Sequence, residues 1–250
     1  MWLVLCDPED QAARWVRTGL RENGLDPVEL VDSEMLTRSV RSAHRIEEGR
    51  ASFETTLPDG RTLASDDVDG VVNRLTYAPV EHLVFASAVD TCYAMAEMSA
   101  LVLSWLQCLA PVTVNRPSPL GLSGAWRSPA EWNVLAAGAG LPVAPLRLSG
   151  ESPAAASGES PAAAGKAAAR TVVVLGEHVF GGEAVPDLVP ACRRLARAAG
   201  ADLLGVGLEV GDRHGARFAG ATLLPDLRIA GPTFVARLHA YLTRLPARPW

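Results

Sequence analysis

The sequence predicts an α/β protein: an N-terminal half built on a parallel sheet, then a smaller α+β half. Three observations carry this. The chain opens as strand, helix, strand, an order that favours parallel pairing through a crossover. A perfect duplication of eight small residues, Ser149 to Ala156 and again Ser157 to Ala164, interrupts the chain past its middle. Beyond it, β-branched runs alternate with amphipathic helical stretches. A chain of 250 residues with 48% hydrophobic and 20% charged residues can bury a core without disulfides.

Trp2–Cys6 is a short apolar run, read as a buried strand. Asp7-Pro8 predicts a helix cap followed by proline at the first position, with Ala12, Trp15, Val16 and Leu20 on one face and Gly24 as the stop. Pro27–Val31 is the second strand. Residues 50–65 place Pro58-Asp59-Gly60 between two alternating runs, a hairpin signal. Val68–Arg74 and Pro111–Pro117 are strands with polar exits, and Glu81–Leu109 between them is a long apolar helix. It is apolar nearly all round, which predicts burial on several sides, either between the sheet and the C-terminal half or against a second copy in a homodimer. Ser128-Pro129-Ala130-Glu131 starts another helix, running to Gly138 or Gly140, and Leu141–Pro145 is extended. Past the repeat, Thr171–Gly176 and Asp202–Val210 read as strands, Arg217–Leu223 as a weak one, and Pro186–Ala199 and Thr233–Leu245 as helices.

The expected organisation is therefore an N-terminal α/β domain over 1–148, a low-complexity linker over 149–169 and a C-terminal unit over 170–250. Repeated small residues with two prolines cannot build a core.

Net charge is −5, so the basic footprint of a nucleic-acid binder is absent. No apolar run is read as reaching a membrane span, and no basic segment precedes the first strand, so a cytoplasmic protein without membrane contact is expected. Lys166 is the only lysine, and it lies in the low-complexity stretch. Cys6, Cys92, Cys108 and Cys192 form no C-x-x-C pair and have no histidine at metal spacing, so reduced thiols are expected.

Arg74 and Arg116, with Asn115 beside the latter, end predicted parallel strands, where open α/β sheets place ligands; an anion is the natural guest. His178, His214 and His239 are the candidate acid–base groups, each with a packing or solvated-surface reading beside it. Gly121-Leu122-Ser123-Gly124 reads as a loop, not a nucleophile turn. Gly181-Gly182 and Gly205-x-Gly207 fall short of a dinucleotide fingerprint.

Taken in order, several phrases resemble the ATP-grasp ligases that modify ribosomal peptides, of the microviridin or graspetide type. These are Val71-Val72-Asn73-Arg74; Glu97–Leu109 leading into Val114-Asn115-Arg116-Pro117; Arg127-Ser128-Pro129 through Pro145; and Val172–Phe180 with the helix and strand that follow. The resemblance covers most of 1–148 and 170–245. It implies a pre-ATP-grasp-like domain followed by a remnant of the ATP-grasp C-terminal domain, and Arg170 as the arginine opening the first C-terminal strand. It also implies a central subdomain with a phosphate-binding lysine, where this chain has its repeat. The resemblance further implies an aspartate, a glutamate and an asparagine around magnesium, and this chain has Gly207, Gly220 and Thr222 there. Glycine brings no side-chain oxygen to a hard cation.

The resulting expectation is a ligase-like protein without ligase activity and without a cofactor. It would bind a partner ligase, a peptide or a small molecule, through Arg74, Asn115, Arg116 and Arg170. Two alternatives stand beside it. One is an active carboxylate–amine ligase using ATP and magnesium, with Asp202, Glu209, Asp212 and Asp226 as metal ligands. The other is a scaffold reused for unrelated chemistry.

Overall fold

The computed structural model describes residues 1–47, 50–76, 78, 85–145, 168–211 and 215–245. Three sheets organise them. The first is parallel, in the order β2-β1-β6-β7, from β1 (Trp2–Cys6), β2 (Val28–Asp32), β6 (Gly70–Arg74) and β7 (Thr113–Val114). The second is antiparallel, β3-β4-β5, from β3 (Arg41–Glu47), β4 (Arg50–Thr56) and β5 (Thr62–Ala64). The third is antiparallel, β11-β10-β8-β9, from β8 (Ala168–Leu175), β9 (His178–Phe180), β10 (Leu203–Gly211) and β11 (Gly215–Thr222). The helices are α1 (Gln11–Glu22), α2 (Ser33–Thr37), α3 (Ala88–Leu109), α4 (Pro129–Gly138), α5 (Val189–Ala199) and α6 (Pro232–Leu242).

Strand alternation divides the core. Val4, Cys6 and Val72 face α1, where Ala12, Ala13, Val16 and Leu20 meet Phe234, Val235, Leu238 and Leu242 of α6 and Val173, Leu175 and Leu203 of the third sheet. One hydrophobic cluster thus joins the two halves of the chain. The helices approach closely at Gly19, where a Cβ would lie 2.9 Å from Val235 Cγ1. Leu3, Leu5 and Val71 face the other way, toward Phe53, Leu57, Leu63 and the C-terminal end of α3. Phe53 and Trp105 meet there edge to face at 5.0 Å. The far side of the third sheet packs Val172, Val174, Leu204 and Val206 against α4 and α5.

Several expectations change. The cap of α1 is Asp10, not Asp7: Asp10 accepts the Ala13 N–H at 2.9 Å, while Asp7 accepts the Thr76 hydroxyl at 2.5 Å. β3 and α2 carry no strong pattern and were not anticipated; β3 exposes most of its residues and is held by its ladder to β4. The 186–199 helix opens as a 3-10 turn and becomes α-helical at Val189, ending at Gly200 with φ +65°. The predicted strand over 111–117 shrinks to two residues. Ser128 forms the expected capping box with Glu131. Of the predicted linker, residues 149–167 lie outside the described residues, and Ala168 and Ala169 belong to β8.

The apolar stretch over 81–109 also differs. Residues 81–84 lie outside the described residues. The 22-residue α3 buries only Trp105, Leu106 and Leu109, and Val89 and Tyr93 are exposed. By length and composition α3 could cross a membrane, which corrects the expectation that no run reaches that length; Asp90 and Glu97 are too few to break it.

Candidate functional site

The carboxyl ends of β1, β6 and β7 gather Cys6, Arg74 and Asn115. Arg74 is 4% exposed and engaged internally: its Nε donates to Asp10 Oδ2 at 2.6 Å and its Nη1 to the Pro225 carbonyl at 3.1 Å. Asn115 has φ +57°, its Oδ1 accepts the Leu203 N–H at 2.9 Å, and its Nδ2 donates to the Leu223 carbonyl at 2.9 Å. Both residues therefore tie the parallel sheet to the C-terminal half. Asn73 Nδ2 donates to the Leu122 carbonyl at 2.7 Å, and Ser123 Oγ to the Leu75 carbonyl at 2.6 Å. These bonds fix the 118–124 loop against the end of β6.

Arg116 and Arg170 are exposed, the latter on β8 opposite Leu208. The structure does not bring the four sequence-predicted site residues to one place.

What the joint does create is a cleft of about 1070 Å³. It is lined by Leu75, Thr76 and the 118–127 segment, by Ser99 and Leu103 of α3, by Pro129, Trp132 and Asn133 at the start of α4, and by Phe218–Leu224, from β11 into the following turn. The described residues lining it include no acid and one cation, Arg127. Arg127 Nη2 donates to the Ala199 carbonyl at 2.9 Å, and the guanidinium lies 5.2 Å from the Trp132 ring centre. Leu120 and Trp126 are exposed at 68% and 67%. Large apolar side chains held in solvent along a cleft are the feature that sequence reasoning missed. The only hint was the glycine-flanked Leu122-Ser123, which reads as a loop.

β11 ends its sheet. Its outer edge carries one bridge among the described residues, the Phe218 N–H to the Pro142 carbonyl at 2.7 Å. Gly220 and Thr222, two of the positions where the resemblance expects metal ligands, line the cleft. Gly207 pairs with Gly220 across the ladder.

The substitute carboxylates are dispersed into other contacts. Asp202 accepts the Tyr241 hydroxyl at 2.7 Å, and burial together with that carboxylate pushes the phenol well above its usual range. Glu209 pairs with Arg217, and Asp226 both accepts the Arg228 N–H and pairs with its guanidinium, which holds the Asp226 carboxyl below the usual carboxylate range. Asp212 and His214 lie outside the described residues, His178 is exposed, and His239 sits half-buried on α6. Among the described residues no group of three His, Cys, Asp or Glu side chains could hold a metal.

No protein-family model and no curated protein matches the sequence. Solved structures do. This combination of a parallel sheet with antiparallel sheets is a fold the chain shares with solved ATP-grasp ligases. Within it, the chain matches ligases that modify ribosomally synthesised peptides. It is 14% identical to the macrocyclase MdnB from Microcystis aeruginosa, with 97% of this chain and 99% of that chain covered and a TM-score of 0.64. It is 12% identical to a Chryseobacterium gregarium ATP-grasp ligase solved with ADP, a leader and a core peptide, covering 99% and 97% with a TM-score of 0.71. It is 16% identical to the ligase PsnB solved with a precursor variant, Mg and ADP, covering 97% of each chain with a TM-score of 0.71.

These structures correct the expectation of no cofactor: PsnB, matching this fold nearly end to end, holds ADP with Mg and, in another structure, AMPPNP. Glycines at 207 and 220 remove side-chain oxygens only; main-chain carbonyls and water remain ligands for a hard cation. The described side chains alone do not assemble a magnesium site.

Proposed function

We propose that this chain binds a peptide in the cleft between its halves and serves in the ligase-type modification of that peptide. Its own part is recognition, alongside a partner ligase. The cleft carries this reading. Among the described residues it offers apolar walls, no acidic lining residue and an outer edge of β11 that carries a single bridge, which suits an extended backbone seeking strand partners. The precursor peptides held by the matching ligases support the same class of guest. The dispersal of Asp202, Glu209 and Asp226 into contacts of their own supports recognition over catalysis.

The second reading is ATP-dependent carboxylate–amine ligation in the same cleft, favoured by the nucleotide complexes of the matching ligases.

The test is calorimetric titration with the precursor peptides of the matching ligases as probes, with and without ATP and magnesium. Micromolar binding is expected, weakened about tenfold or more by Ala219→Trp, which obstructs the cleft from an exposed position. Absence of peptide binding in every condition refutes the proposal. Peptide-dependent release of ADP or AMP by the chain alone selects the second reading.

A further inference from the structure

The four thiols are not equivalent. Cys6 and Cys192 are buried, and burial is the first cause pushing their thiols up, to about 12 and about 11. They hold their protons and are shielded. Cys92 is exposed on α3.

Cys108 lies one turn beyond Ser104 on the same helix, and the His44 ring of β3 spans the two. His44 Nε2 is 3.4 Å from Cys108 Sγ, and His44 Nδ1 is 3.3 Å from Ser104 Oγ. The Cys108 thiol also lies 3.4 Å from the Ser104 carbonyl, so a sulfur nucleophile, an imidazole base and a hydroxyl that contacts the base are gathered on one face of the helix.

A second observation lies next to it. His44 also borders a cavity of about 50 Å³ between α3 and the β3–β4 ladder, with apolar walls that include Phe53, Met98, Leu101 and Trp105. Trp105 is 6% exposed, and its indole N–H is a buried donor with no partner among the described residues. A buried donor normally finds an acceptor, because leaving it unmade costs about 1–3 kcal/mol. The cavity is walled largely by apolar side chains and bordered by His44, which fits a small molecule that is mostly carbon held beside the imidazole.

We propose that Cys108 and His44 form a covalent modification site for small α,β-unsaturated carbonyl compounds. The Cys108 thiol gives its proton to His44 Nε2, and the sulfur bonds to the β-carbon of the alkene. The alkene electron pair moves toward the carbonyl as an enolate, which takes the proton back from His44 at the α-carbon. Every atom of both reactants stays in the adduct, so the step has no leaving group and needs no oxidant.

The test uses the full chain and N-ethylmaleimide, a compact unsaturated imide, at pH 7, with the adduct at each cysteine followed by peptide mass spectrometry. Base assistance predicts that Cys108 reacts at least about fivefold faster than the exposed Cys92. His44→Gln should bring the Cys108 rate down to that of Cys92 or below while the Cys92 rate stays unchanged. Labelling of Cys6 and Cys192 in that variant would show that it has unfolded. In that case Ser104→Ala, which frees the ring, is the deciding variant and should slow Cys108 alone. Faster labelling of Cys92 than Cys108 in the unaltered chain overturns the proposal, as does a Cys108 rate that ignores both variants.

Discussion

Asn115→Ala should be among the most damaging single substitutions in this chain, and its size can be worked out from three terms. The side chain is 2% exposed and makes two hydrogen bonds to main-chain groups of the C-terminal half, Leu203 N–H and the Leu223 carbonyl. Each bond contributes about 1 kcal/mol net, and more when its partner is left buried and unpaired. Alanine must also adopt the left-handed φ of +57°, at about 1 kcal/mol. The sum is about 3 kcal/mol. For a chain of this size that lowers Tm by about 6–12 °C. Urea unfolding followed by tryptophan fluorescence, with calorimetry beside it, reads both quantities. Asn115→Gly separates the terms: it loses the same bonds but adopts the backbone without strain, so it should be about 1 kcal/mol milder. An Asn115→Ala loss under about 0.5 kcal/mol would refute the clamp. A glycine variant worse than the alanine variant would refute the strain argument.

Two further outcomes follow from the same joint and its core. Arg74→Met should destabilise by about 2–4 kcal/mol, because it strands the Asp10 carboxylate in a site 15% exposed; adding Asp10→Asn should restore part of that loss in a double-mutant cycle, and additive losses would argue against the pair. The raised thiols of Cys6 and Cys192 bind protons more tightly folded than unfolded. Their stabilising contribution is therefore complete below the unfolded value of 9.0 and is lost as pH climbs through about 11 to 12. Urea midpoints should be level from pH 7.5 to 8.5 and fall by pH 10.5; an unchanged midpoint at pH 10.5 would contradict this.

Arg74 shows how far sequence reasoning reached. Its place at the end of a parallel strand was legible, because an apolar run ending in polar residues is a local pattern. Its occupation by Asp10 and Pro225 was not, because those partners lie 64 and 151 positions away. Asn115 likewise reads as a polar strand exit, while its two acceptor and donor partners come from the far end of the chain. The cleft was the least legible feature: Trp126 lies in a loop and Ala219 in a weak strand 93 residues on, and no local pattern in either says that the two line one space.

By itself the sequence determined the periodic elements, the order of the two halves and the fold they resemble, since apolar spacing, caps and glycine stops act within a few residues. Tertiary structure alone decided that Arg74 and Asn115 brace the joint, that α3 buries only its C-terminal end among the described residues, and that His44 lies against Cys108. Those outcomes depend on which surfaces meet, and such contacts are made between segments whose local patterns carry no record of each other.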